Sequence, residues 1–422
     1  MKRGPSDRVL AVALAAFFIV VQFYTSLALL SPTPPVGFVF ASPALAVGMV
    51  AVLAASALVA LWGLLARSPN RLARASGLGS SFAILAAWIG PALLSSLLGL
   101  DPRAGLEVVG VMLLGACFHL ALRRFYGIPI VAATVVVAYL VTGALAAALG
   151  LGMLAARRPP LLYALNHGRA AGVFVTANQF GAFLILFVFV ALGASLAARS
   201  AALRRLGLVS AGLATAALVA TVSQGAWIGA VAGAVFLCAT VGLRRLAVLS
   251  LIVLIVGGSA LVMLRPAAQH NPADAFDRLR TVSAGLRVVE LFPLTGVGPM
   301  AYWRVYPEIR PPNGGQPGSF SALHPHNVYV SLAGETGLIG FAGLLYGWWR
   351  FSSAVRGSLE RAAPQTRRIT LAICAGLLAT LVQGMFDTIG IVEITFVWIP
   401  YTALALSAAE FGLPYDRPAG AP

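Results

Sequence analysis

Charged side chains are scarce in this chain. Only 10% of the 422 residues are charged, against about a quarter in an average soluble protein. Hydrophobic residues make up 59%, and the mean hydropathy is +0.90. A soluble domain of this size cannot cover so much apolar surface. The composition therefore excludes a soluble globular protein, a disordered chain and a disulfide-rich secreted domain, and it indicates a membrane protein.

Cysteine and lysine are scarce as well. The three cysteines, Cys117, Cys238 and Cys374, lie in apolar runs without the spacing of a metal site or a disulfide framework, so we interpret them as small buried side chains. Lys2 is the only lysine, and arginine therefore carries nearly all of the net charge of +16. In a membrane protein such a charge marks topology, and nucleic-acid binding is not expected.

The apolar runs predict an all-α polytopic protein with a single membrane domain over residues 1–422. A membrane-spanning helix needs about 20 apolar residues. Counting on that basis gives twelve spans, the seventh and eighth forming a tight hairpin, at 9–30, 44–66, 79–98, 104–122, 129–150, 178–197, 206–222, 225–241, 246–264, 328–349, 369–386 and 390–410. The first run lacks a small-residue cleavage site, so it is interpreted as a span and not as a removed signal peptide. An even number of spans puts both termini on the same side of the membrane, and the basic residues in alternate loops predict that this side is the cytoplasm.

The arginines are distributed unevenly over this layout. With a cytoplasmic N-terminus, 19 of the 29 basic residues lie in cytoplasmic segments, where basic residues are normally enriched. The other ten lie outside and concentrate in 151–177 and in a large external loop at 265–327. A helix start at Asn271-Pro272 predicts one or two short external helices in that loop. Several arginines on the outer face indicate an anionic ligand there. The alternative is that an individual arginine contacts a lipid headgroup or solvent.

Several polar residues lie where the large loop re-enters the membrane. His326 is a candidate general base, and Asn327 either orients it or caps the following span. The neighbouring His324 raises the alternative of a metal site, but no cysteine or third histidine accompanies the pair, so no metal is predicted. Glu335 faces either a cavity or an arginine partner, because a buried carboxylate is costly in a membrane.

These residues resemble the signature of a known family. The run His326-Asn327, Glu335, Gly337 and Gly340 resembles the pattern H-N-(x)7-E-x-G-x-x-G, which ends the large periplasmic loop of the O-antigen ligase and O-antigen polymerase family. Three other elements follow the family's order: Arg169-Ala-Ala-Gly172 with Asn178, Ser223-Gln224-Gly225-Ala226-Trp227, and Arg278 before Pro293-Leu-Thr-Gly296-Val-Gly298. Together they define a ligase/polymerase-like core at 169–340, and the twelve-span layout agrees with the family.

The resemblance implies a metal-independent, cofactor-free glycosyltransferase of the bacterial inner membrane, active at the periplasmic face. It implies transfer of a glycan from undecaprenyl diphosphate to an acceptor sugar, either a glycan or the lipid A-core. The catalytic residues carried over are His326 as general base and Arg278 at the diphosphate. The expected substrate-binding residues are Arg169, Gln224, Arg280, Arg287, His324, Asn327 and Glu335.

One position departs from the family pattern. Where the family has arginine in S-R-G-A-W, this chain has Gln224, which donates hydrogen bonds without a charge. We expect Arg169, Arg280 or Arg287 to compensate; different handling of the donor and an impaired enzyme are the alternatives. Polymerase and ligase both stay open, and Gln224 slightly favours a polymerase. A twelve-span transporter or lipid flippase is the second hypothesis, and a structural scaffold in contact with membrane lipids is the third.

Overall fold

The computed structural model describes residues 5–23, 43–66, 78–174, 176–242, 272–312, 324–386 and 394–413. Over these residues the chain is helical and contains no β-strand. The helices are α1 (Asp7–Gln22), α2 (Pro43–Ala66), α3 (Leu78–Leu98), α4 (Pro102–Phe125), α5 (Pro129–Ala156), α6 (Pro160–Leu165), α7 (Ala177–Ala197), α8 (Ala201–Ala220), α9 (Gln224–Thr240), α10 (Pro272–Leu291), α11 (Tyr302–Ile309), α12 (Val328–Leu359), α13 (Pro364–Gln383) and α14 (Ile399–Phe411), the last preceded by a π-helical turn at Ile394–Trp398.

Seven of the described helices are long and apolar enough to cross a membrane. They are α3, α4, α5, α7, α8, α12 and the combined helix Ile394–Phe411, accompanied by two shorter apolar helices at Ala51–Ala66 and Gln224–Thr240. The prediction of a polytopic α-helical membrane protein is therefore confirmed. The predicted hairpin is present as α8 and α9. The predicted span 246–264 lies outside the described residues, so the count of twelve spans and the topology stay predictions.

Helix α7 is buried along most of its length and packs against α8, α9 and α13. Small residues allow the close contacts, as is usual between membrane helices. A Cβ on Gly233 of α9 would lie 2.6 Å from the Phe189 ring of α7. Near the N-terminal ends of the same two helices, a Cβ on Gly181 would lie 2.9 Å from the Cβ of Ala226. The first turns of α7 and α9 therefore lie side by side.

The connections between helices fall at two opposite ends of the bundle. At one end, Ala170 N–H donates to the Ala220 carbonyl at 2.9 Å, close to the first turns of α7 and α9. At the other end, Arg123 pairs with Glu410 at 3.0 Å, and Arg368 donates to a carbonyl at the C-terminal end of α7. The orientation of these ends relative to a membrane stays a prediction.

Helix α12 is broken at Gly337, whose φ is 67°. Segment 293–298 fills the break with main-chain hydrogen bonds. Leu338 N–H donates to the Pro293 carbonyl at 2.8 Å, and Gly298 N–H donates to the Glu335 carbonyl at 2.9 Å. A side chain at position 337 would collide with the backbone of this segment. The E-x-G and P-L-x-G-V-G elements of the sequence thus form one unit in the fold.

Helix α10 starts at Pro272, as predicted, but its 20 residues make it longer than the short helix expected. Its Leu279 and Leu286 are 66% and 50% exposed. The helix buries a face of mostly small residues, Thr281, Ala284, Gly285 and Val288. This face lets α10 approach the start of α12 closely, since a Cβ on Gly285 would lie 2.6 Å from a methyl carbon of Val330.

Candidate functional site

A cleft lies at the end of the bundle where α7 and α9 begin. The cleft is partly open, and the space in it, with open solvent counted, is about 330 Å³. The lining residues are Arg169, Asn178, Val222, Ser223, Gln224, Gly225, Arg278 and Phe386. Arg169, Gln224 and Arg278 are predicted site residues that come from three separate sequence motifs. The fold therefore brings these three together in one place.

The turn between α8 and α9 forms one wall of the cleft. The hydroxyl of Thr221 and the indole N–H of Trp227 both donate to the Leu218 carbonyl, at 2.7 and 3.0 Å. These two bonds close the hairpin. Val222 has a φ of 49°, a conformation that β-branched residues rarely adopt. The sharp turn places Gln224 at the first position of α9 with its side chain exposed.

The N-terminus of α9 itself contributes to the cleft. Ser223 makes no side-chain capping bond, and the first residues of the helix, Gln224 and Gly225, are among the lining residues. The first N–H groups of a helix have no partner within the helix and carry a partial positive charge. This wall therefore favours a negatively charged group.

Arg169 reaches the cleft from the loop between α6 and α7. Its Nη2 donates to Oδ1 of Asn178 at 3.1 Å, which orients the half-buried guanidinium. The hydrogen bond from Ala170 to Ala220 ties the same loop to the C-terminal end of α8. Gly172 then turns the chain with a φ of 57°, which glycine adopts without steric cost. The R-x-x-G…N element thus holds a cation beside the α8–α9 turn.

Arg278 reaches the cleft from α10. The side chain is exposed, and its Nη1 donates to the Phe386 carbonyl at 3.4 Å. One turn further along α10, the hydroxyl of Thr281 donates to the Arg278 carbonyl at 2.9 Å and lies 3.5 Å from the Pro325 carbonyl. A Cβ on Gly285 would lie 2.8 Å from the ring of the same proline. Helix α10 therefore contacts both the cleft and the histidine segment, residues 324–327.

The histidine segment adjoins the cleft wall. Asn327 caps α12, because its Oδ1 accepts the N–H groups of Tyr329 and Val330 at 3.0 and 3.1 Å. Its Nδ2 donates at 3.1 Å to the carbonyl of Met385, the residue before the lining residue Phe386. The cap that the sequence suggested for Asn327 is therefore present. The predicted base His326 is 8% exposed and lies beside the wall, not among the lining residues.

Glu335 lies apart from the cleft and holds the segment 293–300 in place. Its carboxylate accepts the backbone N–H of Met300, and its main-chain carbonyl accepts the hydroxyl of Ser95 at 2.6 Å. The side chain is 3% exposed, and its Oε2 has no hydrogen-bond partner within the described part of the chain. The sequence predicted that Glu335 faces a cavity or an arginine. Within the described residues, its carboxylate is hydrogen-bonded to the backbone N–H of Met300.

Arg280 and Arg287 are not among the residues that line the cleft. Arg287 pairs with Glu290 at 2.6 Å, and both side chains are more than half exposed. Their contact with a substrate stays a prediction, as does that of His324. Of the three arginines expected to compensate for Gln224, Arg169 is the one that shares the cleft with it.

Two features of this region carry no local sequence signal. Phe386 contributes a main-chain carbonyl to Arg278, and any residue type can do that. Asp101, at the start of α4, forms an ion pair with Arg304 of α11. The N–H of Ala104 and the guanidinium of Arg304 lower the pKa of the Asp101 carboxyl below its ordinary value. These partners are more than 200 positions apart, so spacing alone does not reveal them.

The central part of the chain matches a known family model. Residues 208–345 match the model of the O-antigen ligases. This segment is similar to the O-antigen ligases. The resemblance seen in the motifs is thereby confirmed, since the ligase-type segment contains Gln224, Arg278, the histidine segment and Glu335. Arg169 and Asn178 precede it and join the ligase-type residues through the cleft. No curated protein matches the chain.

Proposed function

We propose that this protein is a glycosyltransferase of surface-polysaccharide synthesis. It moves a glycan from undecaprenyl diphosphate to an acceptor sugar at the periplasmic face of the bacterial inner membrane. The observation that carries the proposal is the cleft in which Arg169, Gln224 and Arg278 meet. The match of residues 208–345 to the O-antigen ligases supports the same reaction class.

The chemistry of the cleft suits a diphosphate. Arg169 and Arg278 offer planar sets of donors that pair with phosphate oxygens. Gln224 adds neutral donors, and the first turn of α9 adds backbone N–H groups. The described lining residues include no carboxylate that would repel an anion. The apolar outer surfaces of the neighbouring helices suit the long lipid tail of the donor.

The proposed reaction is a displacement at the anomeric carbon. His326 takes the proton of the acceptor hydroxyl as its oxygen attacks that carbon. The bond between the anomeric carbon and the phosphate oxygen breaks, and its electron pair leaves with the lipid diphosphate. Arg169 and Arg278 stabilise the negative charge that develops on this leaving group. The products are the extended or attached glycan and undecaprenyl diphosphate.

A reconstituted transfer assay tests the proposal. Purified protein in liposomes receives a lipid-linked donor and an acceptor, and product is followed without any membrane gradient. We expect His326→Ala to lower kcat by about a hundredfold or more, the usual effect of losing a general base. The control is Arg103→Ala, which removes an exposed arginine that pairs with Glu107 outside the cleft lining. Full activity of a well-expressed His326→Ala protein, or product that depends on a gradient, would contradict the proposal.

Deletion of the gene distinguishes the two acceptors. Within the proposal, the neutral Gln224 favours a polymerase. A polymerase deletion leaves single repeat units on undecaprenyl diphosphate. A ligase deletion leaves full-length polymer on the same lipid carrier. Analysis of the lipid-linked glycans in the deletion strain therefore assigns the acceptor.

A further inference from the structure

His326 is held in an uncommon backbone conformation. Its φ is 54°, in the left-handed region that non-glycine residues seldom adopt. His324, two residues earlier, is 6% exposed, and the two imidazole centroids are 4.2 Å apart. Such a conformation persists only where the surrounding contacts fix it.

Hydrogen bonds that involve backbone N–H groups fix the chain on both sides of His326. On one side, Nδ1 of His324 accepts the backbone N–H of His326 at 3.3 Å. Asparagine and aspartate make this same bond to the residue two positions on in an Asx turn, and Pro325 has a fixed φ within the turn. On the other side, Asn327 caps α12, and Val328 N–H donates to the Gly384 carbonyl at 2.8 Å.

We infer that His324 is a positioning residue that holds His326 in place for proton abstraction. An Nδ1 that accepts an amide N–H carries no proton, so a neutral ring keeps its hydrogen on Nε2. Nδ1 of His324 is therefore engaged with the backbone and does not bind substrate. The inference rests on the proposed function, and it replaces the expected substrate-binding role of His324 by a role exerted through His326.

Two replacements of His324 separate the effect of its hydrogen bond to the His326 N–H from the effect of side-chain volume. His324→Asn keeps an acceptor in the Asx-turn position, and His324→Leu removes the acceptor at a similar volume. In the reconstituted assay we expect His324→Asn to stay within about threefold of wild type, and kcat of His324→Leu to fall about 10- to 100-fold, because misplacement by about 1 Å can cost a hundredfold. The donor KM stays unchanged in both variants, since the cleft residues are untouched.

His324→Ser supplies a graded comparison, because a hydroxyl makes the same turn more weakly. Its kcat should fall between those of the asparagine and leucine variants, and this order remains measurable if His324→Leu does not fold. Wild-type kcat in His324→Leu, beside an inactive His326→Ala, would overturn the positioning role and leave the proposed function standing. Equal losses in His324→Asn and His324→Leu would also overturn it, because the imidazole itself would then be required. Full activity of His326→Ala would instead overturn the proposed function.

Discussion

At the scale of single residues, the cleft has an amide at position 224 where the O-antigen ligase pattern has a guanidinium. Arg169 lies in the same cleft and is oriented by Asn178. For the proposed diphosphate donor, we therefore expect the charge missing at position 224 to come from Arg169. Arg169 belongs to the R-x-x-G…N element, which precedes the matched residues 208–345.

Replacement of Arg169 tests whether this arginine compensates for the missing positive charge at position 224. We expect Arg169→Ala to raise the donor KM about 10- to 100-fold, the effect of losing one hydrogen-bonded charge pair. The control Arg103→Ala removes an exposed arginine that pairs with Glu107 and should change the donor KM by less than about twofold. Steady-state kinetics with the lipid-linked donor measure both. Similar effects of the two substitutions would show that position in the cleft does not matter.

The double variant Arg169→Ala/Gln224→Arg tests whether an arginine at position 224 can replace Arg169. Gln224 is exposed at the start of α9, so an arginine fits there without repacking. We expect the double variant to recover most of the donor affinity lost in Arg169→Ala, because arginine binds phosphate oxygens in the same way from either position. A double variant as weak as the single one would contradict compensation.

At the scale of elements, the break in α12 joins two sequence motifs. Gly337 has a positive φ, and a Cβ there would collide with the backbone of the segment 293–298. We expect Gly337→Ala to destabilise the protein by about 2–5 kcal/mol, from backbone strain and overpacking together. The matched control is Gly357→Ala in the same helix, where a Cβ meets nothing within 4 Å. The control should be neutral or slightly stabilising.

Thermal unfolding in detergent compares the two glycine variants. A Gly337→Ala protein as stable as Gly357→Ala would contradict the account of the break. Thermal unfolding also tests a second contact, the ion pair between Asp101 at the start of α4 and Arg304 of α11.

Asp101 caps α4 by accepting the Ala104 N–H at 3.1 Å, and it pairs with Arg304. These contacts lower the pKa of its carboxyl. Their stabilisation is therefore present above the unfolded-state pKa of about 4, and it is lost as the pH falls through the lower folded-state value. Asp101→Asn keeps the cap and removes the charge, so we expect it to cost at most about 1 kcal/mol at pH 7.

The difference between Asp101→Asn and wild type should shrink toward zero at acidic pH, because Asp101 itself is then neutral. Unfolding temperatures measured near neutral pH and well below the ordinary pKa of aspartate give the two values. An equal difference at both pH values would contradict the ion-pair contribution.

At the scale of the whole molecule, the two ends of the bundle differ in content. The cleft, α10 and the histidine segment lie at one end, and the Arg123–Glu410 pair lies at the other. The orientation proposed here puts the cleft end in the periplasm, because basic connections normally stay cytoplasmic.

Thiol labelling in a variant without Cys117, Cys238 and Cys374 tests that orientation. Ser283 of α10 and Ala201 at the start of α8 are exposed and lie at the cleft end and the opposite end. We expect Ser283→Cys to react with an impermeant maleimide in cells whose inner membrane is intact. Ala201→Cys should react only after permeabilisation of that membrane. The reverse pattern would contradict the orientation.

The helices were largely predictable from local pattern. The α8–α9 hairpin lies close to its predicted place, because a chain in a membrane must satisfy its backbone within helices of apolar residues. The start of α10 at Pro272 was predictable for a similar local reason. Its buried face was not, because small residues such as Gly285 mediate its close contact with α12 while Leu279 stays exposed.

The amino-acid sequence was sufficient to establish a polytopic helical membrane protein and the O-antigen ligase motifs, because hydropathy and motif spacing are local properties. The packing of the helices decided that Arg169, Gln224 and Arg278 share a cleft, that Glu335 bonds to the Met300 backbone, and that His324 bonds to the His326 amide. The first two depend on which distant segments meet, and the third depends on a left-handed turn. Contacts between distant segments and a single left-handed turn leave no periodic pattern in the sequence.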